Sequence, residues 1–544
     1  MLKCISMSSM AKVFADKSPK DEAVNKFSLL KNERLSFQTA LYLEGNETQN
    51  VSFEIKGSLK NYITAYFVEA IPSKMTSYKD SDDYYIDKNP GLFPDLLRPL
   101  GATFDLEANK WASIWFEFEP GDEIPAGPYK VEVDFMAEKG GKCTVVTELE
   151  IIDALLPKQE LIHTNWFHTD CLATWYKVEV FSEDYWEIVE NYVKNAVRHG
   201  LNFILTPLFT PPLDTEVGGE RPTVQLVDVF LNDGEYSFGF EKLDRWVDMC
   251  ERCGIDYYEM SHLYTQWGAK HAPKIMATVD GKEKKLFGWN TWAGGKAYSE
   301  FLEAFAKELI AFIEAKGIGK RVYFHVSDEP SAHQFRTYKK RAEAVEKLFP
   351  GYPVVDALSD YKFYKRGVVQ TPIPATDHID PFIGNVPELW AYYCCSQHRH
   401  YVSNRFFAMP SQRNRVLGFQ LYKFDVKGFL HWGYNFWYSQ YSKYEINPFE
   451  VSDAGQGFPS GDAYVVYPGD DGKPLNSLRL KVFYDAFQDL QALQLLESLI
   501  GREKTLALLE DGLDEEISFR SYPRSEKWQL DKREQINKAI KENM

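Results

Sequence analysis

The alternation of hydrophobic and polar residues divides the chain into two parts. In the first part, up to about residue 155, apolar and polar positions alternate over short segments at 35–43, 51–55, 111–118, 129–135 and 142–152. This alternation is typical of strands that bury one face. Short strands at such spacing predict an N-terminal β-sandwich over residues 1–156.

From residue 160 the pattern changes to strands that alternate with helices. Helical segments begin at residues that can cap a helix, such as Ser182 and Ser299, and end at Gly200, Gly254 or Gly317. Eight strands alternating with helices predict a (β/α)8 (TIM) barrel at residues 157–476. The strand candidates are 161–167, 202–206, 255–260, 322–326, 353–358, 377–383, 389–394 and 428–433.

Other segments complete this division of the chain. Residues 477–544 predict C-terminal helices packed on the barrel, because Leu478, Val482 and Phe483 share one helical face. Two long segments, 207–240 and 261–296, are predicted to be loops, and their pattern assigns them no role.

Composition and charge exclude several classes of partner. The formal net charge of −17 argues against nucleic acid or an anionic membrane surface. No apolar run approaches the ~20 residues of a membrane-spanning helix, and residues 1–19 resemble no signal peptide. The scattered cysteines are typical of a reducing compartment. We therefore expect a cytoplasmic protein without membrane insertion, and the oligomeric state stays open.

Two adjacent acids follow the fourth barrel strand. Asp328 and Glu329 lie in the motif His-Val-Ser-Asp-Glu-Pro at 325–330, and strand ends are where such a barrel carries its catalytic residues. A structural alternative is that Ser327 or Asp328 caps the next helix, with Pro330 in its first turn. The segment alone favours the cap, and the rest of the chain favours catalysis.

Further polar and aromatic residues are expected at the same barrel mouth. Acids, an amide, imidazoles and aromatic faces around one cleft are typical of a carbohydrate site. No phosphate loop, convincing metal-ligand spacing or GxSxG elbow is present, so neither cofactor nor metal is predicted. The candidate substrate-binding residues are His168, Asp170, Arg221, His262, Trp267, His325, Trp432 and Asn435.

Three of these candidates have an alternative structural role. Arg221 could equally form a salt bridge that orders its loop, and Trp432 could equally pack in the barrel core. His325 lies within a strand, so we expect it to orient Asp328 or Glu329 by hydrogen bonding rather than to act as a catalyst.

The adjacency of Asp328 and Glu329 favours a particular mechanism. Ordinary glycosidases place two carboxylates ~5 Å apart or wider, on both sides of the scissile bond, which neighbouring residues do not easily do. Adjacent acids suit a substrate whose own 2-acetamido group attacks the anomeric carbon. One carboxylate then binds the amide and the other protonates the leaving oxygen, and repulsion between close charges separates the two titrations accordingly.

The motif at 325–330 resembles the catalytic signature of glycoside hydrolase family 123, the β-N-acetylgalactosaminidases and their relatives. Other segments resemble the same family: 93–96, 111–115 and 126–129 in the sandwich, 389–392 and 428–435 in the late barrel, and 461–469 and 477–480 after it.

The resemblance implies a retaining, substrate-assisted exo-hydrolase that releases terminal β-linked N-acetylgalactosamine from an oligosaccharide or glycoconjugate. It implies that Asp328 orients the acetamido group and that Glu329 is the general acid and then the general base. An aromatic hydroxyl is expected to bind the acetamido carbonyl, and Tyr392 is the candidate, with Tyr393 as the second choice.

Two other functions stay open. A conventional glycosidase acting on a sugar without an N-acetyl group would take its second carboxylate elsewhere, for example Asp170 or Glu259. A non-catalytic glycan-binding protein would keep the aromatic mouth and lack turnover. The linkage and the aglycone are not predicted.

Overall fold

The computed structural model describes residues 1–20, 23–121 and 123–544. Over these residues, the N-terminal part contains two five-stranded sheets, with strand orders β1-β3-β8-β5-β6 and β2-β10-β9-β4-β7. The strands are β1 (Leu2–Ser8), β2 (Lys26–Lys31), β3 (Leu35–Leu43), β4 (Gln49–Lys56), β5 (Ile63–Ser73), β6 (Gly91–Pro99), β7 (Thr103–Leu106), β8 (Trp111–Phe118), β9 (Gly127–Ala137) and β10 (Lys142–Leu155). The sheet-rich N-terminal region is therefore confirmed, and all five predicted segments are strands.

Apolar residues from both sheets meet in one core. Phe37 and Phe116 of the first sheet stack with ring centroids 5.3 Å apart. Phe53 of the second sheet lies 6.3 Å from Phe116 and 6.2 Å from Phe135. Side chains that alternate along each strand thus interdigitate between the sheets, which explains the alternation in the sequence.

The chain from residue 157 onward contains parallel strands. Their sheets have the orders β11-β22-β21, β12-β15-β18 and β19-β20, and every pairing in them is parallel. The strands from residue 157 onward are β11 (Ile162–Asn165), β12 (Phe203–Thr206), β13 (Asp228–Asn232), β14 (Glu235–Gly239), β15 (Tyr257–Met260), β16 (Ile275–Val279), β17 (Lys282–Phe287), β18 (Val322–Phe324), β19 (Val355–Ala357), β20 (Thr371–Ile373), β21 (Leu389–Tyr392), β22 (Val426–His431), β23 (Val466–Pro468) and β24 (Pro474–Asn476).

Isolated contacts link the three parallel sheets. One parallel bridge pairs Phe324 with Val354, and another pairs Ala375 with Tyr392. Next to β11, the Asn202 side chain accepts a hydrogen bond from the His163 backbone N–H at 2.8 Å. Within the described residues the strands do not form one continuous closed sheet, so the predicted closed barrel is not confirmed.

The sixth predicted strand is wrong in position. Residues 377–383 form turns, and the strand lies earlier, at Thr371–Ile373. The physical reason is Pro372 and Pro374, which cannot donate to a strand ladder and which argue against a strand when the sequence is read.

An additional sheet lies within the two segments that the sequence assigned to loops. Its order is β14-β13-β16-β17, so each segment supplies one hairpin. Both hairpins turn at an Asp-Gly pair with positive φ, at Asp233 (49°) and Gly234 (84°) and at Asp280 (48°) and Gly281 (78°). Such pairs favour two-residue hairpin turns, so the signal was present in the sequence.

The helices have the predicted ends in most cases. Ser182 caps α2 by accepting a hydrogen bond from the Tyr185 N–H, and Gly254 and Gly317 end α3 and α4 in the left-handed conformation. The predicted cap at Ser299 is wrong, because α4 begins at Lys296 after Gly295. The helices are α1 (Thr169–Tyr176), α2 (Glu183–Arg198), α3 (Glu241–Cys253), α4 (Lys296–Lys316), α5 (Phe335–Leu348), α6 (Lys362–Lys365), α7 (Ser411–Arg415), α8 (Leu417–Lys423), α9 (Leu478–Ile500), α10 (Arg502–Glu510) and α11 (Glu526–Asn543).

The C-terminal helices connect the two halves of the chain. In α9, Arg479 forms a two-pronged ion pair with Asp95 of β6, at 2.7 and 3.0 Å. On another turn of α9, Asp489 accepts hydrogen bonds from Arg415 of α7. The helical C-terminal region is therefore confirmed, and it packs on the N-terminal sheets as well. None of the described helices is long and apolar enough to cross a membrane.

Candidate active site

The carboxyl ends of the parallel strands open into one cleft with a cavity volume of about 120 Å³. Its lining comes from residues at or beyond the ends of seven of these strands, which is where such folds carry catalytic residues. The lining residues are Trp166, Leu213, Asp214, Gln266, Trp267, Asp328, Glu329, Ala357, Tyr392, Cys394, Cys395, Leu430, Trp432 and Phe458.

The two adjacent acids are not used as a helix cap. Ser331 caps the short helical turn before α5, in a reciprocal hydrogen-bond pair with Gln334. Asp328 and Glu329 therefore precede the cap and remain available to the cleft. Glu329 adopts φ +40°, and its N–H donates to the Ala357 carbonyl at 3.2 Å. A non-glycine residue held in this region is typical of functional sites.

The two carboxyl groups have different surroundings. The Tyr392 hydroxyl donates to Glu329 Oε1 at 2.5 Å, whereas no donor of the described chain contacts the Asp328 carboxyl. Burial, followed by the nearby charge of Glu329, raises the pKa of Asp328 well above its usual range. Burial also raises the pKa of Glu329, against the Tyr392 hydrogen bond. Glu329 is nevertheless reached by solvent from the cleft, which moderates the shift.

A buried ion cluster lies behind the acids. His325 Nε2 is 2.5 Å from Glu259 Oε1, and His325 Nδ1 is 3.1 Å from Asp356 Oδ1. Burial alone would lower the pKa of His325, but the two carboxylates outweigh it and raise the pKa to about 10. His325 is therefore an imidazolium between two carboxylates. His325 has no hydrogen bond to Asp328 or Glu329. The Val326 backbone N–H, next in the chain, donates to Asp356 Oδ1 at 3.2 Å.

Two aromatic side chains pack on this cluster, and one of them, Trp166, lines the cleft. The Trp166 indole N–H donates to Glu259 at 2.8 Å, so the cluster fixes one aromatic wall of the cleft. His262 stacks on His325 with ring centroids 4.4 Å apart. His262, His325 and Asp356 each bring a possible metal-ligand atom within 4.8 Å of the others, but both nitrogens of His325 already face carboxylates.

Three predicted substrate ligands form a second buried cluster. Arg221 makes a two-pronged ion pair with Asp170, at 2.8 and 2.7 Å, and lies 3.1 Å from His168 Nδ1. Arg221 also donates to the Leu213 carbonyl at 3.1 Å. The guanidinium thus ties the long loop after β12 to the start of α1, which is the loop-ordering alternative that the sequence left open.

The predicted aromatic residues lie on the cleft surface. Trp432 is half-buried, and its indole N–H donates to Asp462 Oδ2 at 2.8 Å. Trp267 is 38% exposed, and its backbone N–H donates to the Asp328 carbonyl at 3.3 Å. Trp267 is further fixed by Gln334, whose side chain donates to its carbonyl at 2.5 Å. One aromatic face is thus coupled to the backbone of the acid pair.

The structure separates the predicted site residues into two groups. Those that line the cleft are Asp328, Glu329, Tyr392, Trp267 and Trp432. Those buried behind its wall are His168, Asp170, Arg221, His262, His325 and Asn435. Substrate contact by this second group stays a prediction. The polar side-chain atoms of the group bond to protein groups, except the two ring nitrogens of His262, which have no hydrogen-bond partner among the described residues. Asn435, for example, accepts from the His168 N–H at 2.8 Å.

Sequence reasoning missed several lining residues, above all Asp214, Gln266 and Trp166. Asp214 follows two prolines in a segment without regular pattern, and only its position after the second strand pointed to the cleft. Trp166 lies at the end of the first strand candidate, where the rule on strand ends would have identified it.

Comparisons with known proteins agree with this geometry. The glycoside hydrolase 123 catalytic domain model matches residues 166–496, more than half of the chain. No curated protein sequence matches it. The fold is similar to that of a family 123 glycoside hydrolase from Clostridium perfringens, from a study of glycolipid glycan hydrolysis. The TM-score is 0.76 at 15% identity, covering 100% of this chain and 98% of that one.

A second structure is much less similar. It is a Bacteroides ovatus GH5 xyloglucanase in complex with a heptasaccharide, with a TM-score of 0.29 at 9% identity over 85% of this chain and 98% of that one. That value carries no argument about the fold. The family match rests instead on the segment that contains the acid pair and the cleft, and by this match the chain is a glycoside hydrolase that belongs to family 123.

Proposed function

We propose that this hydrolase is a retaining exo-β-N-acetylhexosaminidase that prefers N-acetylgalactosamine and uses the 2-acetamido group of its substrate as nucleophile. The observation that carries the proposal is the adjacent pair Asp328 and Glu329. Both acids line the cleft, neither caps a helix, and the Tyr392 hydroxyl donates to Glu329. The galacto preference and the exo mode come from the family resemblance. The work on the Clostridium perfringens relative concerns glycolipid glycans, and a glycoconjugate is therefore our proposed substrate class.

In this mechanism the substrate carbonyl oxygen attacks the anomeric carbon while the bond to the leaving oxygen breaks. Asp328 accepts a hydrogen bond from the amide N–H and balances the charge of the oxazolinium. Glu329 gives its proton to the leaving oxygen and then takes one from the water that opens the oxazolinium. Two inversions at one carbon give retention, and each carboxyl has a single role.

The hydrogen bonds of the cleft explain how the shared proton reaches Glu329. Before the sugar binds, Tyr392 donates to Glu329 and favours its anion, so Asp328 holds the proton of the pair. The acetamido group exchanges these contacts, because its N–H donates to Asp328 and its carbonyl accepts from Tyr392. Glu329 then loses its donor and holds the proton, in the state that a general acid requires.

Replacement of Tyr392 by Phe is expected to lower kcat about 10²-fold, because the hydroxyl positions the acetamido oxygen that attacks, and a small misplacement of a reacting group costs about that much. The variant also lacks the donor that lowers the pKa of Glu329. The acid pair therefore keeps one proton up to a higher pH. The basic limb of the kcat/KM profile should therefore move to higher pH. A variant that was merely less well packed would have a lower unfolding temperature and an unmoved limb.

The conventional mechanism has less support in this cleft. Glu259 accepts hydrogen bonds from Thr164 at 2.7 Å and from Trp166, and it faces His325. Asp170 is occupied by Arg221. Both proposed second carboxylates are therefore buried and bound to protein groups, and neither lines the cleft.

A panel of aryl β-glycosides tests the proposal. The 2-acetamido-galactoside is expected to be hydrolysed fastest, the 2-acetamido-glucoside more slowly, and glycosides with a 2-hydroxyl not at all. A thiazoline analogue of the oxazolinium should inhibit competitively. Hydrolysis of 2-hydroxyl glycosides without thiazoline inhibition would establish the conventional mechanism, and glycan binding without any hydrolysis would establish a non-catalytic protein.

The domain organisation that goes with this function is also a proposal. It consists of an N-terminal sandwich at 1–156, a catalytic (β/α)8 barrel at 157–476 and helices at 477–544. The parallel strands follow one another in the cyclic order β11-β12-β15-β18-β19-β20-β21-β22, which supports a barrel whose strand pairing is interrupted. Asn202, beside His163, supports the junction between the first two strands.

A further inference from the structure

Asp214 is a third acid of the cleft, and the mechanism above does not use it. It lies after β12 and lines the same surface as Asp328, Glu329 and Trp267. Its side chain is half-buried, and burial raises its pKa to about 6. Its charge in turn raises the pKa of Asp328, because like charges disfavour each other's ionised form.

The structure holds Asp214 from three directions. Its N–H donates to Gln266 Oε1 at 2.7 Å, and the Tyr441 N–H donates to its Oδ2 at 2.9 Å. The Ser442 hydroxyl donates to its carbonyl at 2.7 Å. The backbone has φ +39°, a conformation that a non-glycine residue keeps only where its surroundings impose it. Segments that follow two other strands, β15 and β22, thus hold the backbone of Asp214, and one of them also contacts its carboxyl group.

The contacts leave one side of that carboxyl group available. Oδ2 accepts the Tyr441 N–H, whereas Oδ1 has no hydrogen-bond donor in the described part of the chain. Arg221, whose charge lowers the pKa of Asp214, is itself paired with Asp170. A shared metal ion is not favoured either, because Asp214 is not among the described side chains whose ligand atoms lie within 4.8 Å of one another.

A ring hydroxyl of the sugar is the remaining kind of ligand that fits this oriented carboxylate. A hydroxyl is a neutral donor, so it satisfies the carboxylate without adding charge, and a hydrogen bond to an ionised acceptor is stronger than one between neutral groups. We infer that Asp214 accepts a hydrogen bond from a ring hydroxyl of the sugar whose anomeric carbon reacts. Asp214 is thereby a specificity-determining residue, and this inference rests on the proposed function.

The test is a cycle between Asp214→Asn and a set of deoxy substrates. Asn keeps the size of Asp, tolerates positive φ and keeps an oxygen for the Tyr441 N–H. The variant is expected to lose about 10- to 100-fold in kcat/KM, the range for a hydrogen bond to a charged group. The parent enzyme and the variant are then compared on the 3-, 4- and 6-deoxy forms of the best aryl glycoside.

The proposal requires that removal of one particular hydroxyl lowers kcat/KM strongly in the parent enzyme and only slightly in Asp214→Asn. Equal losses in both enzymes at all three positions would overturn it. Asp214→Glu, which keeps the charge and moves it by one methylene, is expected to weaken the coupling at the same hydroxyl. Unfolding temperatures show whether each variant folds. If Asp214→Asn does not fold, Asp214→Glu is used to measure the coupling instead.

Ser442→Ala is the matched control. It removes one support of the same loop and leaves the carboxyl group in place, so its effect should be small and equal for all deoxy substrates. A 2-fluoro-glycoside that labels Asp214 covalently would make it a nucleophile and overturn the inference. If only 2-hydroxyl glycosides are hydrolysed, the proposed function fails, but the cycle can still be measured on them and judges Asp214 separately.

Discussion

Replacement of Glu329 by Gln is expected to lower kcat about 10³-fold for a substrate with a poor leaving group, within the range for a lost general acid. Gln keeps the shape and accepts the Tyr392 hydrogen bond, but it has no proton to give. The loss should shrink when the leaving group is acidic, because such a group departs without protonation. The measurement is kcat across aryl glycosides whose phenols have different pKa values.

The dependence of kcat on the pKa of the leaving phenol decides whether Glu329 is the general acid. The parent enzyme should depend weakly on the acidity of the leaving group, and Glu329→Gln should depend on it strongly. Glu216→Gln is the control, since Glu216 is an exposed loop residue paired with Lys443 at 3.3 Å, and it should leave the slope unchanged. A Glu329→Gln enzyme with unchanged kcat and slope would mean that another group is the acid.

Much of this site could be predicted because its residues lie at strand ends. The segment 322–326 is rich in β-branched and aromatic residues and is followed by two acids, so the strand-end rule predicts Asp328 and Glu329 at the mouth. Both line the cleft, and their catalytic roles stay a prediction. Tyr392 followed in the same way from the end of a later strand. The helix cap could not be decided from the sequence, because Ser327 and Ser331 both precede α5, and only the structure assigns the cap to Ser331.

The buried residues show the limit of that rule. His168, Asp170 and Asn435 also lie near strand ends, yet their side chains bond to protein groups behind the cleft wall. His262 lies there too, packed against the ring of His325. Sequence position gives the end of the parallel strands at which a residue lies, and it does not give the direction of its side chain. Asp214 shows the converse, because its orientation depends on Gln266, Tyr441 and Ser442, which are remote in sequence.

The ion cluster behind the cleft connects the packing to the chemistry. His325 joins Glu259 and Asp356, and Glu259 holds the Trp166 indole. Asp356 of this cluster raises the pKa of Asp328 and His325 lowers it, whereas burial and the charge of Glu329 are the larger causes of the raised pKa. The cluster therefore acts on the site mainly by holding Trp166 in the wall of the cleft.

Replacement of Asp328 by Asn is expected to lower kcat by about 10² to 10³, the magnitude for a lost electrostatic partner of a developing charge. The loss arises because a neutral amide cannot balance the positive oxazolinium. Asn can still accept the substrate N–H through its oxygen, so KM should change little. The thiazoline, whose ring resembles the oxazolinium, should therefore bind more weakly by a factor close to the loss in kcat.

Similar losses in kcat and in thiazoline affinity would separate a charge effect from a packing effect. Asp328 and Glu329 share one segment, so any distortion by the Asn variant would also alter Glu329 and steepen the dependence on the leaving group. A variant with weaker thiazoline binding and an unchanged leaving-group slope would assign the charge-balancing role to Asp328 alone. Full thiazoline affinity in Asp328→Asn would contradict that role, and it would remove the reason for two acids to be neighbours in this cleft.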